Sequence, residues 1–181
     1  MYCGGQGIYL YYLSKALAEA GHQVTVVVSP PYPGPMPWAK VYKINNENFY
    51  ARGYPHFLPK DSPLEIFRPL NFFEFVSTRL KMFPEMLSFS LRAFSLLQGI
   101  KRKERFDIIH DNQCLGYGLL LMRRLGAPVV ATIHHPLAID RTAALEQARS
   151  FSERLKRLMY YPWVMQKLVS QRLDGIITVS N

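Results

Sequence analysis

Apolar and polar positions alternate between two periods along this chain, and the switches between them mark the elements. From Gly4 a helical period runs through Ile8, Tyr12, Ala16 and Ala20, flanked by Leu13 and Leu17, with Ser14, Lys15 and Glu19 outside the stripe. Gly21 stands at the C′ position, and His22 to Ser29 then carries the continuous apolar run QVTVVVS expected of a buried parallel strand. Residues 30–38, PPYPGPMPW, hold too many prolines for regular structure and predict a loop at the strand's carboxyl end. A short strand follows over Lys40 to Ile44, then an irregular stretch rich in aromatics and prolines to Pro69. Asn71 and Glu74 have capping-box spacing, with Asn71 as the cap of an apolar helix broken at Pro84 and resuming to about Lys103.

The strand and helix pattern then repeats. FDIIHDNQ predicts a strand over Asp107 to His110 running into a polar turn; LGYGLLLMRRLGAP predicts a helix ended by Gly126 and Pro128; PVVATIHH predicts the next buried strand. Residues 141–172 predict a helical stretch interrupted at Pro162, and 174–181 a last strand. Strands alternating with helices define α/β: a Rossmann-like, mostly parallel sheet with helices on both faces, in one domain over residues 1–181. A glycine turn normally leaves a strand before opening its helix, and the last strand stops where a strand-to-helix turn would begin. The expectation is therefore a lobe cut at both ends, lacking its first strand.

Composition narrows the partners. The chain is 49% hydrophobic and 19% charged, and 22 Lys plus Arg against 13 Asp plus Glu give +9, which favours anionic surfaces or ligands. No helix-turn-helix, aromatic RNA platform or zinc spacing accompanies that charge, so nucleic acid is not expected. Cys3 and Cys114 form no metal-type pair or disulfide framework, which suits a reducing compartment, and Met1 to Gly7 has no signal-peptide pattern. The expected location is the cytoplasm, with a peripheral position at the inner face of the membrane as an extension. That extension comes from residues 149–172, where Arg and Lys interleave with aromatics as in an interfacial helix. The other reading of the same pattern is a surface helix whose Phe151, Leu155 and Leu158 form a core stripe. The apolar segment 64–103 is broken by charges and predicts no membrane span.

In parallel α/β sheets ligands bind outside the carboxyl ends of strands, which draws attention to three polar places. They are Gly4 to Gly7; His110, Asp111, Asn112 and Gln113; and His134, His135, Asp140 and Arg141. Glycines at a helix start serve a phosphate or merely a tight turn. The fingerprint GxGxxG is absent, and Ser29 and Pro30 stand where a ribose-binding carboxylate would end the second strand, which argues against a nicotinamide dehydrogenase. His110 reads as a buried, hydrogen-bonded histidine or a ligand contact. His134, at the end of VVATI, can project into a crevice and hydrogen-bond a hydroxyl or a phosphate oxygen. The cluster His110, Asp111, His134, His135 and Asp140 could ligate a metal, but it lacks a spacing such as HExxH, and no metal is expected.

GGQGIYLYYLSKALAEAGHQVTVV, FDIIHDNQ, VVATIHHPLAIDR and LDGIITVS, in that order, resemble the amino-terminal lobe of family 4 retaining glycosyltransferases. The resemblance implies the GT-B fold, in which an amino-terminal lobe holding the acceptor faces a carboxyl-terminal lobe holding a nucleotide sugar. It implies that Gly4 and Gly5 approach the donor diphosphate and that His134 lies beside the transferred sugar as the catalytic-site residue. Asp111, Asn112, His135, Asp140 and Arg141 are then acceptor-binding by location. The implied partners are a nucleotide-diphosphate sugar as co-substrate and a hydroxyl acceptor, without a metal or other cofactor. The loop 30–38 and the aromatic stretch 49–75 are expected to shape the acceptor pocket. Since the family's donor lobe with its paired glutamates is not in this sequence, the chain alone is expected to be inactive. The competing readings are a noncatalytic binding lobe and a Rossmann-like nucleotide-sugar enzyme of another class.

Overall fold

A computed structural model describes residues 4–45, 63–80, 82–160 and 162–179. The chain divides into two compact units, Met1–Asn46 and Glu47–Asn181. Each is α/β with parallel strands, as the alternating pattern predicts, and the described strands fall into two sheets.

The first unit holds helix α1 (Gly4–Glu19) and strands β1 (Val24–Val28) and β2 (Ala39–Lys43). The two strands pair in parallel from Val24 opposite Ala39 to Val28 opposite Lys43. Gly21 has a φ of 90°, and the Gly21 and His22 N–H groups donate to Ala18 and Leu17, so the predicted glycine stop is a left-handed C-terminal cap. GGQG is the first turn of α1 itself rather than a turn ahead of it.

The predicted inner stripe of α1 is not the covered one. Ile8, Tyr12 and Leu17 are exposed, whereas Ser14, placed outside the stripe by the periodicity, is 2% exposed. Ser14 accepts a hydrogen bond from Trp38 Nε1 at 3.1 Å and donates to the Tyr11 carbonyl at 2.9 Å, so its burial leaves no polar group unpaired. The small core is Val26, Val28 and Met36, with Leu10, Tyr11, Tyr32 and Trp38 packed on it. The proline-rich loop thus turns Met36 and Trp38 into this core.

The second unit contains α2 (Pro69–Arg79), α3 (Glu85–Ile100), β3 (Ile109–Asn112), α4 (Gly118–Met122), β4 (Val129–Ile133), α5 (Leu137–Glu146), α6 (Phe151–Tyr160), α7 (Trp163–Ser170) and β5 (Gly175–Thr178). The sheet order is β3-β4-β5, all parallel. Central β4 explains its apolar run: Val129 and Ala131 are fully covered, and Leu115 and Val169 are buried in the same unit. Each such side chain contributes about 1.5–3 kcal/mol, less for alanine. Asp174 pins the far edge, accepting from the Val129 N–H at 2.8 Å and from Arg123 at 3.1 Å.

The break at Pro84 is where the pattern puts it, but Asn71 and Glu74 are not a capping box. The helix begins two residues earlier, at Pro69, and both side chains lie inside it and are buried. Asn71 and Glu74 each bind the guanidinium of Arg92 on α3, Asn71 Oδ1 at 2.7 Å, in an almost fully buried ion pair. On the opposite side of α3, Gly116 and Gly118 meet the helix backbone so closely that a Cβ on either would overlap the Met86 or Ser90 main chain. The predicted core stripe of α6 is also overturned: Phe151 is 83% exposed, and Leu155 and Leu158 are exposed as well. The helix instead meets α5, with Arg157 donating to the Ala144 carbonyl. Among the described residues no helix is long and apolar enough to cross a membrane. Most of the aromatic stretch 49–75 lies outside the described residues.

Candidate active site

The site is built where β3 and β4 end side by side. The sequence predicts β3 over Asp107 to His110; it runs instead from Ile109 to Asn112, paired with Val129 to Thr132. Polar residues can occupy this strand because each finds a partner beside it. Strand alternation puts His110 and Asn112 on one face and Asp111 on the other.

On the first face, two hydrogen bonds cross from β3 to β4. His110 Nε2 lies 2.7 Å from Thr132 Oγ1, and His134 Nε2 lies 2.8 Å from Asn112 Oδ1. With the amide oxygen accepting, His134 carries its proton on Nε2. Burial lowers the pKa of both histidines, and in His134 the neighbouring His135 adds to the effect. Both shifts favour the neutral ring, the form that can share hydrogen bonds with a hydroxyl.

Asp111, on the opposite face, is 7% exposed, and its Oδ2 accepts from the Leu115 N–H at 2.9 Å. Burial pushes its pKa up to about 6, opposed by hydrogen bonds from the Leu115 and Cys114 backbones. Its carboxylate thus shapes the turn after β3. Cys114 lies half-buried beside it, its thiol donating to the Met86 carbonyl at 3.1 Å, and burial and Asp111 raise its pKa well above the ordinary value, which disfavours the thiolate.

The loop leaving β4 carries the other candidates. His135 is exposed, and its Nε2 stands 3.6 Å from Asp140 Oδ2 in the first turn of α5. Arg141, next along α5, lays its guanidinium 4.7 Å over the Trp163 ring of α7. The structure therefore brings Asn112 to His134 and His135 to Asp140, directs Asp111 into the interior and holds Arg141 against α7. Gly4 and Gly5 belong to the other compact unit. Among the described residues, no three His, Cys, Asp or Glu side chains converge to hold a metal ion.

Two residues of this corner had no assigned role in the sequence reading. Gln113, 4% exposed, receives the N–H of His134 at 2.6 Å and of His135 at 3.2 Å on Oε1, and donates Nε2 to the His135 carbonyl at 2.6 Å. Gln166 on α7 accepts the Leu137 N–H at 2.8 Å. A polar residue directly after a strand was the available signal for Gln113; nothing local marked Gln166, 29 positions from its partner.

His134 thus closes the central strand of the parallel sheet, hydrogen-bonded to the neighbouring strand. Residues 3–181 match the sequence model of Glycosyltransferase Family 4, and the chain belongs to that family. It is 41% identical over 181 residues to the MMP alpha-(1->4)-mannosyltransferase of Mycolicibacterium hassiacum, an alignment covering 99% of this chain and 43% of that protein.

Proposed function

We propose that the complete protein transfers a glycosyl group from a nucleotide-activated sugar to an acceptor hydroxyl with retention of anomeric configuration, and that this chain supplies the acceptor lobe of a GT-B enzyme. The observation that carries the reading is His134: an imidazole at the carboxyl end of β4, hydrogen-bonded to Asn112, in a family 4 chain. In this reading His134 hydrogen-bonds the transferred sugar while Asn112, His135, Asp140 and Arg141 border the acceptor, Asp111 shaping the turn behind them. Gly4 and Gly5 face the donor diphosphate, since the first N–H groups of a helix have no intrahelical acceptor and suit an anion. The leaving diphosphate must be held while the acceptor attacks, which takes a second lobe; no divalent metal or other cofactor is required. The relative's name makes nucleotide-activated mannose the first donor to try.

The experiment is sugar transfer by the complete protein, with the anomeric configuration of the product read by NMR. His134→Ala should lower kcat by about 10²-fold with little change in melting temperature, and the 181-residue chain alone should give no turnover. Unchanged kinetics in the variant, turnover by the lone chain, or binding without turnover by the complete protein would each overturn part of this reading. The same reading extends to α6, whose exposed Phe151, Leu155 and Leu158 lie among Arg149 and Arg154, a combination that supports contact with an anionic lipid surface.

A further inference from the structure

The backbone of the His134–Leu137 segment is held by side chains rather than by the sheet. The β3–β4 ladder ends at the Asn112–Thr132 pair, so the N–H groups of His134 and His135 lie beyond it. The Gln113 carboxamide replaces the missing rung with three hydrogen bonds, two received and one given, and Gln166 grips the Leu137 N–H at the other end. Gln113 reaches its partners from a left-handed backbone conformation, φ 60°, which is uncommon outside glycine. Asp111 supports that conformation by binding the Leu115 N–H, and Leu115 is itself left-handed at φ 49°.

We propose that Gln113 is a positioning residue: its carboxamide fixes the backbone of His134 and His135 where β4 ends, and so sets the distance and orientation at which the His134 imidazole meets Asn112. The inference rests on the reading of His134 as the sugar-contacting residue. A strand end held only by the covalent chain varies in φ and ψ, whereas clamped N–H groups on either side of the His134 Cα fix the Cα–Cβ direction from which the ring reaches Asn112. Gln113 touches no reacting atom. Its contribution is the pre-organisation of a group that does, and misplacement by about 1 Å can cost on the order of 10²-fold in rate.

Gln113→Met tests this, because it fills nearly the same volume while losing all three hydrogen bonds. The first readout is the ¹⁵N spectrum of the His134 imidazole in the folded protein, which reports the tautomer without any substrate. The Nε2–H tautomer should dominate in the wild type and give way to a mixture in Gln113→Met. Gln113→Glu keeps the acceptor for both N–H groups and should restore most of the wild-type pattern. Gln113→Leu, which also loses all three hydrogen bonds, serves as the second variant should Gln113→Met not fold. The second readout is transfer by the complete protein, where kcat should fall by on the order of 10-fold or more with KM for the donor changed less than about 2-fold. Unmoved His134 resonances in folded Gln113→Met or Gln113→Leu overturn the inference. Shifted resonances with unchanged kcat uphold the brace and instead refute His134 as the sugar contact.

Discussion

Asp111→Asn should change how stability depends on pH, in a direction fixed by where the carboxyl sits. The group is buried, and the cost of burying its charge outweighs the two backbone N–H groups that favour it, so its pKa lies near 6 instead of 3.8. The folded protein therefore holds this proton more tightly than the unfolded chain does. The stability it contributes is fully present below about pH 4 and is lost as pH rises through 6. A displacement of this size corresponds to about 3 kcal/mol. Asparagine stays neutral throughout and retains an oxygen to accept the Leu115 N–H. Urea unfolding followed by circular dichroism at pH 4, 5, 6 and 7 measures both proteins. Other titrating groups pull in different directions, since Glu85 is raised by burial while His110 and His134 are lowered. They cancel in the difference between variant and wild type. That difference should move by about 2.4 kcal/mol in favour of Asp111→Asn between pH 4 and 7. Parallel stability curves, or a difference moving the other way, would refute the argument that burial dominates at this carboxylate.

Arg92→Met should lower stability by about 3–5 kcal/mol, because it leaves the Glu74 charge buried between α2 and α3 without its partner, and the double variant with Glu74→Met should recover most of that loss; urea midpoints decide, and a loss below about 1 kcal/mol would show the pair to be idle. Cosedimentation with vesicles of anionic lipid should capture the protein and fail for Phe151→Ser; absence of binding, or equal binding by the variant, would remove the membrane from the account of α6.

The parallel α/β plan, the break at Pro84, the Gly21 stop and the place of His134 were legible because each depends on local signals: a continuous β-branched run, a missing N–H, a residue free to adopt positive φ. Which face of a helix is covered was not legible. Periodicity reveals a stripe on α1 and on α6, but Ser14 is buried because Trp38 reaches it from 24 positions away, and Phe151 is exposed because no core comes to it. The spacing of Asn71 and Glu74 misled for a related reason. Three residues apart is the spacing of a capping box and also of two neighbours on a helix interior, and the deciding partner, Arg92, is remote in sequence. The boundary of β3 was drawn too early because HDN looks like a turn until Thr132 and His134 are beside it. The role of Gln113 was hidden likewise, since its partners are main-chain atoms and leave no mark in the amino-acid code.

The left-right alternation of β3 also sorts its duties for anyone who would redesign it. His110 and Asn112 share a side with Thr132 and reach across to β4, whereas Asp111 looks the other way and keeps the following bend in shape. Exchanges on one side of this short ribbon therefore loosen its tie to β4, and exchanges on the other loosen the bend after it, so the two sets of contacts can be altered separately.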